Sequence, residues 1–408
     1  MHIGLQRWLK IALINLLIVA AIGVVLRYKI AYSLSFIDQK HLLHGHSHFA
    51  FTGWISQAIM AIMVSYLVKK KGETVYKRYR WLLLANLLTA YGMLIAFPIE
   101  GYGLLSIIFS TLSIFVSYIF GIYYWKDLNR LDEKNASHPW FKAAVLFNAL
   151  SSLGGFALAI MMISRIVHQN WYLAAEYFYL HFQYNGWFFF SCMGFITVRL
   201  SAYAEPKLLG RIFLLFSTAL IPAYFLSALW MNIPVWIYVL VVMAAFAQLW
   251  GWILMVSVLR NCASRLTMPK ISKWLLIFSA TALTIKLLLQ LGSTIPSLSD
   301  LAFGFRPIVV GYLHLVLLGV ITLFLLGFMF TSNAFIINKS LVTGTYIFTG
   351  GIIINEILLM TQGVTALSYI SLPFMNEALL TAAIIMFSGL LIFLIGQKLK
   401  PEADVNHN

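Results

Sequence analysis

Apolar residues in this chain come in runs of roughly 17–25, the length an α-helix needs to cross a hydrocarbon core about 30 Å thick. Twelve such runs can be read, at 8–28, 48–68, 81–97, 103–125, 140–163, 174–198, 211–229, 236–258, 274–292, 305–331, 341–361 and 374–396. A bilayer interior has no water to satisfy backbone groups, so each run must be helical. The expected fold class is therefore all-α, a polytopic membrane bundle of about 12 transmembrane helices. Composition agrees: 61% of the 408 residues are hydrophobic and 10% charged, and the mean hydropathy is +0.88, too few charges to face water. Between the runs there is no hydrophilic insert, low-complexity tract or evident internal repeat, so residues 1–408 read as a single bundle domain.

Basic residues give the bundle an orientation, because cytoplasmic connections carry the excess of lysine and arginine. With twelve crossings, 22 of the 28 basic side chains fall on one side, among them Arg7, Lys10, Lys69 to Lys71, Lys77, Arg78, Arg80, Lys398 and Lys400. Five fall on the other, Arg27, Lys29, Lys40, Arg165 and Arg306, and Lys286 lies inside the ninth run. Both termini are then expected to be cytoplasmic, in a bacterial-type inner (plasma) membrane. The first run follows Arg7 and Lys10 as a signal peptide would, and is read as a retained helix. The net charge of +15 is spread over loops rather than gathered on one face, which argues against nucleic acid. Lipid is the expected partner. Trp81, Trp125, Trp140, Trp171 and Tyr172 stand near run ends, as in interfacial belts. Cys192 in an apolar run and Cys262 in a basic loop are not expected to pair.

An ionisable side chain at membrane depth is costly enough to be a functional hypothesis by default. The densest feature is His41-Leu-Leu-His44-Gly-His46-Ser-His48-Phe-Ala-Phe-Thr-Gly53-Trp54 at the outer entrance of the second helix. If this stretch is helical, His41, His44 and His48 share one stripe and His46 points elsewhere, towards small neighbours that would admit a flat macrocycle. The sixth helix brings His181, followed by Gln183, Tyr184 and Asn185, and the tenth brings His314. Distant helices thus deliver imidazole to the outer half of the bilayer, in numbers that packing alone does not require. The set His41, His44, His46, His48, His181 and His314 therefore reads as a metal ion or haem centre, the His44/His48 spacing suiting two ligands on one metal such as copper. Glu100, Glu176, Lys286 and Glu356, with Gln183, Tyr184 and Asn185, are the candidate proton or polar partners, and Glu377 stands at the outer start of the twelfth helix. His2, His138, His168 and His407 read as solvated. With no CxxCH, covalent haem attachment is not expected.

Twelve helices with histidines at the outer end of the second, in the sixth and in the tenth resemble subunit I of the haem-copper oxidase and nitric oxide reductase superfamily. The His-x-His followed by Gly-Trp also resembles the NnrS-type haem and copper membrane proteins. The resemblance implies haem b between His44, His46 or His48 and His314, with His181 and part of the second-helix cluster on copper or iron. The sequence departs from that pattern: 211–229 has no histidine pair, the tenth helix has His314 alone, and His181 is followed by Phe182. A complete binuclear oxygen-reducing centre is not expected. The leading expectation is electron transfer, or nitric oxide or oxygen handling, beside an electron donor or other respiratory-chain subunits. The alternatives are a metal or proton-coupled transporter using the outer histidines, and a non-catalytic assembly partner of a respiratory complex.

Overall fold

The structure, a computed structural model, describes residues 3–166, 168–231, 233–299, 305–332, 334–367 and 369–397. His2, His407, Lys398 and Lys400 lie outside the described residues. The described residues form twelve long helical stretches and no strand. They are α1 (Ile3–Tyr32), α2 (Gln39–Lys71), α3 (Thr74–Glu100), α4 (Leu104–Asn129), α5 (His138–Ile163), α6 (169–200), α7 (Pro206–Ala228), α8 (Val235–Cys262), α9 (Lys270–Gly292), α10 (Arg306–Thr331), α11 (Lys339–Leu367) and α12 (Met375–Ile395). Eleven are long and apolar enough to cross a membrane. The remaining one, α6, is continuous through 32 residues, but Gln169, Asn170, His181, Gln183 and Asn185 lower its hydropathy.

Three helices are interrupted in the same way. After His48, His181 and His314 the backbone passes into a π-helical segment, at Ala50–Ser56 in α2, Phe182–Phe188 in α6 and Leu315–Thr322 in α10. These histidines follow one another at intervals of 133 residues (181 less 48, 314 less 181). The residues after them read His-Phe-Ala-Phe-Thr-Gly-Trp, His-Phe-Gln-Tyr-Asn-Gly-Trp and His-Leu-Val-Leu-Leu-Gly-Val. Helices starting at Ile3, His138 and Lys270 likewise recur at nearly that interval, as do their successors. The chain is therefore three copies of a four-helix unit, which corrects the reading of no internal repeat. Hydropathy could not show the repeat, since every helix of such a bundle is apolar; the histidine-to-glycine spacing does. Within each unit the first helix packs on the second and the third on the fourth, while the fourth meets the next unit's first. Contact of α12 with α1 closes the ring.

The π segments meet at the centre. Of the apolar part of α2, 89% is buried, against at most 50% in the other ten membrane-length helices. Trp54 Nε1 donates to Thr322 Oγ1 at 3.0 Å, and Trp187 Nε1 donates to Ser56 Oγ at 3.0 Å. One link joins unit one to unit three, and the other joins unit two to unit one. The third place in this cycle is held by Val320 and Phe189, which cannot bond.

A π segment loosens the regular ladder of backbone bonds, and its carbonyls need other donors. Asn15 of α1 donates to Gly53 O at 2.6 Å and accepts from Tyr91 OH at 2.8 Å. Asn86 of α3 donates to Thr52 O, and Ser279 of α9 donates to Val320 O. Asn15→Leu would strand both partners in an apolar setting, where one unmade bond costs about 1–3 kcal/mol. The expected result is a lower thermal midpoint in detergent, with Tyr91→Phe milder because it leaves Gly53 capped.

Several terminal residues differ from the sequence reading. Trp81, Trp125 and Trp171 are exposed as belt residues should be, but Trp140 is fully buried among Phe190, Phe213 and Phe216. His138 is buried too, with its ring nitrogen 2.8 Å from Tyr66 OH, because α5 begins earlier than its apolar run. Cys262 is the last residue of α8 rather than part of a loop, and it and Cys192 are buried and free. Asp127 of α4 ties the ends of α2 and α3 together through Lys71, Arg78 and Tyr79.

Candidate functional site

The histidine-rich stretch is helical from Gln39, so all four imidazoles stand on α2 ahead of its π segment. Asp38 starts the helix by accepting the His41 amide at 2.8 Å. That bond holds the Asp38 carboxyl below its usual range. A lowered carboxylate pKa favours folding above the unfolded value near about 3.9 and loses that contribution as pH falls through the folded value. Amide exchange at His41 is therefore expected to speed up below about pH 4 in wild type; an Asp38→Asn variant should show no such acid-dependent step.

The faces separate as the spacing predicts. The His48 ring stacks on Phe97 of α3 at 4.4 Å between centroids, and the His44 ring lies edge-on to Tyr102 at 4.6 Å. His41 points at Gly101, whose φ of +61° only glycine adopts readily and where a side chain would strike the imidazole. His46 faces away from this group towards α1. Its Cε1 is 3.5 Å from where a Cβ on Gly23 would stand, and its Nδ1 is buried without a partner.

His46 is within electrostatic reach of His314 and of Arg27. His314 Nδ1 lies 2.8 Å from Val310 O. Donation of that N–H to the carbonyl fixes the tautomer and leaves Nε2 as the basic nitrogen, as in histidines that bind metals. Arg27 is in turn coupled to Glu356 of α11, whose Oε1 accepts from Asn355 at 3.2 Å and whose Oε2 is buried without a partner. His46, His314, Arg27 and Glu356 stand on four different helices, α2, α10, α1 and α11. The sequence reading counted Arg27, at the end of the run 8–28, with the outer-side charges; α1 carries it inside the helix, which continues to Tyr32.

The other candidates lie elsewhere. His181 is buried beside α7, with Nε2 2.9 Å from Leu220 O and Nδ1 3.2 Å from Asn185 Nδ2. It is not gathered with His41, His44 and His48: among the described residues no three His, Cys, Asp or Glu side chains are grouped to hold a metal ion. Gln183 donates to Asn148 and Ser151 of α5, and Tyr184 packs edge-on to Tyr312. Glu100 accepts the Ser106 amide at the start of α4, a structural cap. Glu176 is exposed, and Lys286 is buried beside a cavity of about 10 Å³ that Asn185 and Gln248 also line.

No protein-family model matches the chain, and no curated protein matches it.

Proposed function

We propose that the chain is a membrane haem protein, with one haem b held between His46 of α2 and His314 of α10, serving electron transfer. One observation carries the reading. Two imidazoles on helices of different units are available as ligands: His46 has a buried nitrogen without a partner, and His314 has its tautomer fixed by a backbone carbonyl. Two axial imidazoles are what a six-coordinate haem needs. Gly23 leaves room beside His46, and Arg27 supplies a cation for the carboxylates such a group carries.

A haem held there would supply single-electron transfer. The chain's own residues then have distinct tasks. The Val310 carbonyl holds the His314 ring in orientation, and Glu356 offsets the charge of Arg27. The twelve-helix topology, with both termini cytoplasmic and this cluster towards the outer face, belongs to the same proposal, on the strength of the lysine and arginine asymmetry. Copper forms no part of it, since a copper centre would need more ligands than this cluster brings together.

The test is an optical spectrum with metal stoichiometry on protein purified from haem-sufficient cells. An alpha band in the reduced-minus-oxidised spectrum and about one iron per chain are the expected results. Folded, monodisperse protein without iron or a Soret band would end the proposal. Zinc or copper without iron would favour the transporter.

A further inference from the structure

The central cycle of hydrogen bonds is open at one seam only, between units two and three, where Val320 faces the place held by Phe189. A cleft of about 470 Å³ lies at that seam, lined by Phe189 and Val320 themselves and by helices α6, α8, α9 and α10. The volume is within the roughly 300–1,000 Å³ of ligand-sized sites. Its walls are apolar, with Met193, Trp252, Met255 and Phe324 among them. The indole and hydroxyl donors of its lining, Trp252 Nε1, Ser279 Oγ, Thr281 Oγ1 and Thr284 Oγ1, already donate to Thr284, Val320, Ile277 and Ala280. A polar headgroup therefore has no free partner inside.

Charge is confined to one end. Arg260, in the last turn of α8, and Lys273, in the first turn of α9, line the cleft, and no acidic residue does. Both belong to the face that carries most of the basic residues. An apolar slot with two cations at its membrane-surface end matches an acyl chain beneath a phosphate. A neutral isoprenoid would use the walls and leave both cations idle, and a soluble anion would leave the walls empty.

We propose that the cleft between units two and three is a binding site for one anionic glycerophospholipid of the surrounding bilayer, its phosphate on Arg260 and Lys273 and an acyl chain between α6 and α9. The site arises where the third tryptophan link is replaced by apolar side chains.

Native mass spectrometry of the full chain, released from micelles containing phosphatidylglycerol and phosphatidylcholine of equal chain length, tests this. One phosphatidylglycerol should be retained with about tenfold preference, two nearby cations each contributing to headgroup attraction. The double variant Arg260→Gln/Lys273→Gln should lose the preference. A control, Lys207→Gln/Arg211→Gln on the same face outside the cleft, should keep it. Ala280→Phe, which fills the slot without touching charge, should lose retention of both lipids; the charge variant keeps the test valid if this one misfolds. Equal retention of the two lipids, equal loss in the control, or retention of a neutral quinone in place of phospholipid would each overturn the assignment.

Discussion

If the proposed haem is held by His46 and His314, replacing either by alanine is expected to remove the haem spectrum, taking iron from about one per chain to near zero, because each would supply one of the two imidazoles that hold it. His48→Phe and His181→Ala should leave the alpha band in place. His48 stacks on Phe97, and His181 is bonded to Leu220 and Asn185 on the other side of the bundle. Comparing the four variants by spectrum, iron content and size-exclusion profile separates ligation from folding. Loss of the band in His48→Phe with retention in His46→Ala would transfer the ligand to the other face of α2. Arg27→Gln is a finer probe: with both imidazoles kept, haem should remain while its midpoint potential shifts downwards, since a cation near the iron favours the reduced form.

The second large effect concerns stability. Gly344 and Gly389 face each other where α11 crosses α12, and a Cβ on Gly389 would come within 2.9 Å of Gly344 O and 2.9 Å of the Phe348 Cα. Backbone approach of this kind is how membrane helices associate when no hydrophobic driving force separates them from lipid. Gly389→Leu would have to push the helices apart along their length, with a cost at or above the upper end of the about 1–3 kcal/mol typical of overpacking. The expected outcome is little or no monodisperse protein in detergent, against near wild-type yield for Gly350→Leu on the same helix pair, where a Cβ meets nothing within 4 Å. Equal yields from the two would refute the close-packing account.

The helices were legible because apolar length is a direct physical requirement of the bilayer. The two faces of the α2 histidines were legible because helical periodicity fixes them. Helix ends were less so: α1 runs on to Tyr32 and α5 begins at His138, both beyond their apolar runs, since interfacial residues continue a helix without adding to its hydropathy. Trp140 looked like a belt residue for the same reason. Which imidazoles meet is a tertiary matter. Equal depth put His181 with the second-helix group, but the packing of α6 against α7 turns its ring towards Leu220. Of the histidines singled out in the sequence, His46 and His314 are the pair the proposed function draws on, and His41, His44, His48 and His181 are not grouped as three or more around one point among the described residues.

The three-unit ring has one more implication. A closed trimer of identical subunits must make every junction alike, so that a bond gained or lost at one is gained or lost at all. Joining the copies in a single polypeptide lifts that constraint. Two junctions here keep an indole-to-hydroxyl clasp while the third gives it up and opens, so asymmetry in a threefold scaffold needs only a pair of substitutions, Val320 and Phe189, rather than a new fold.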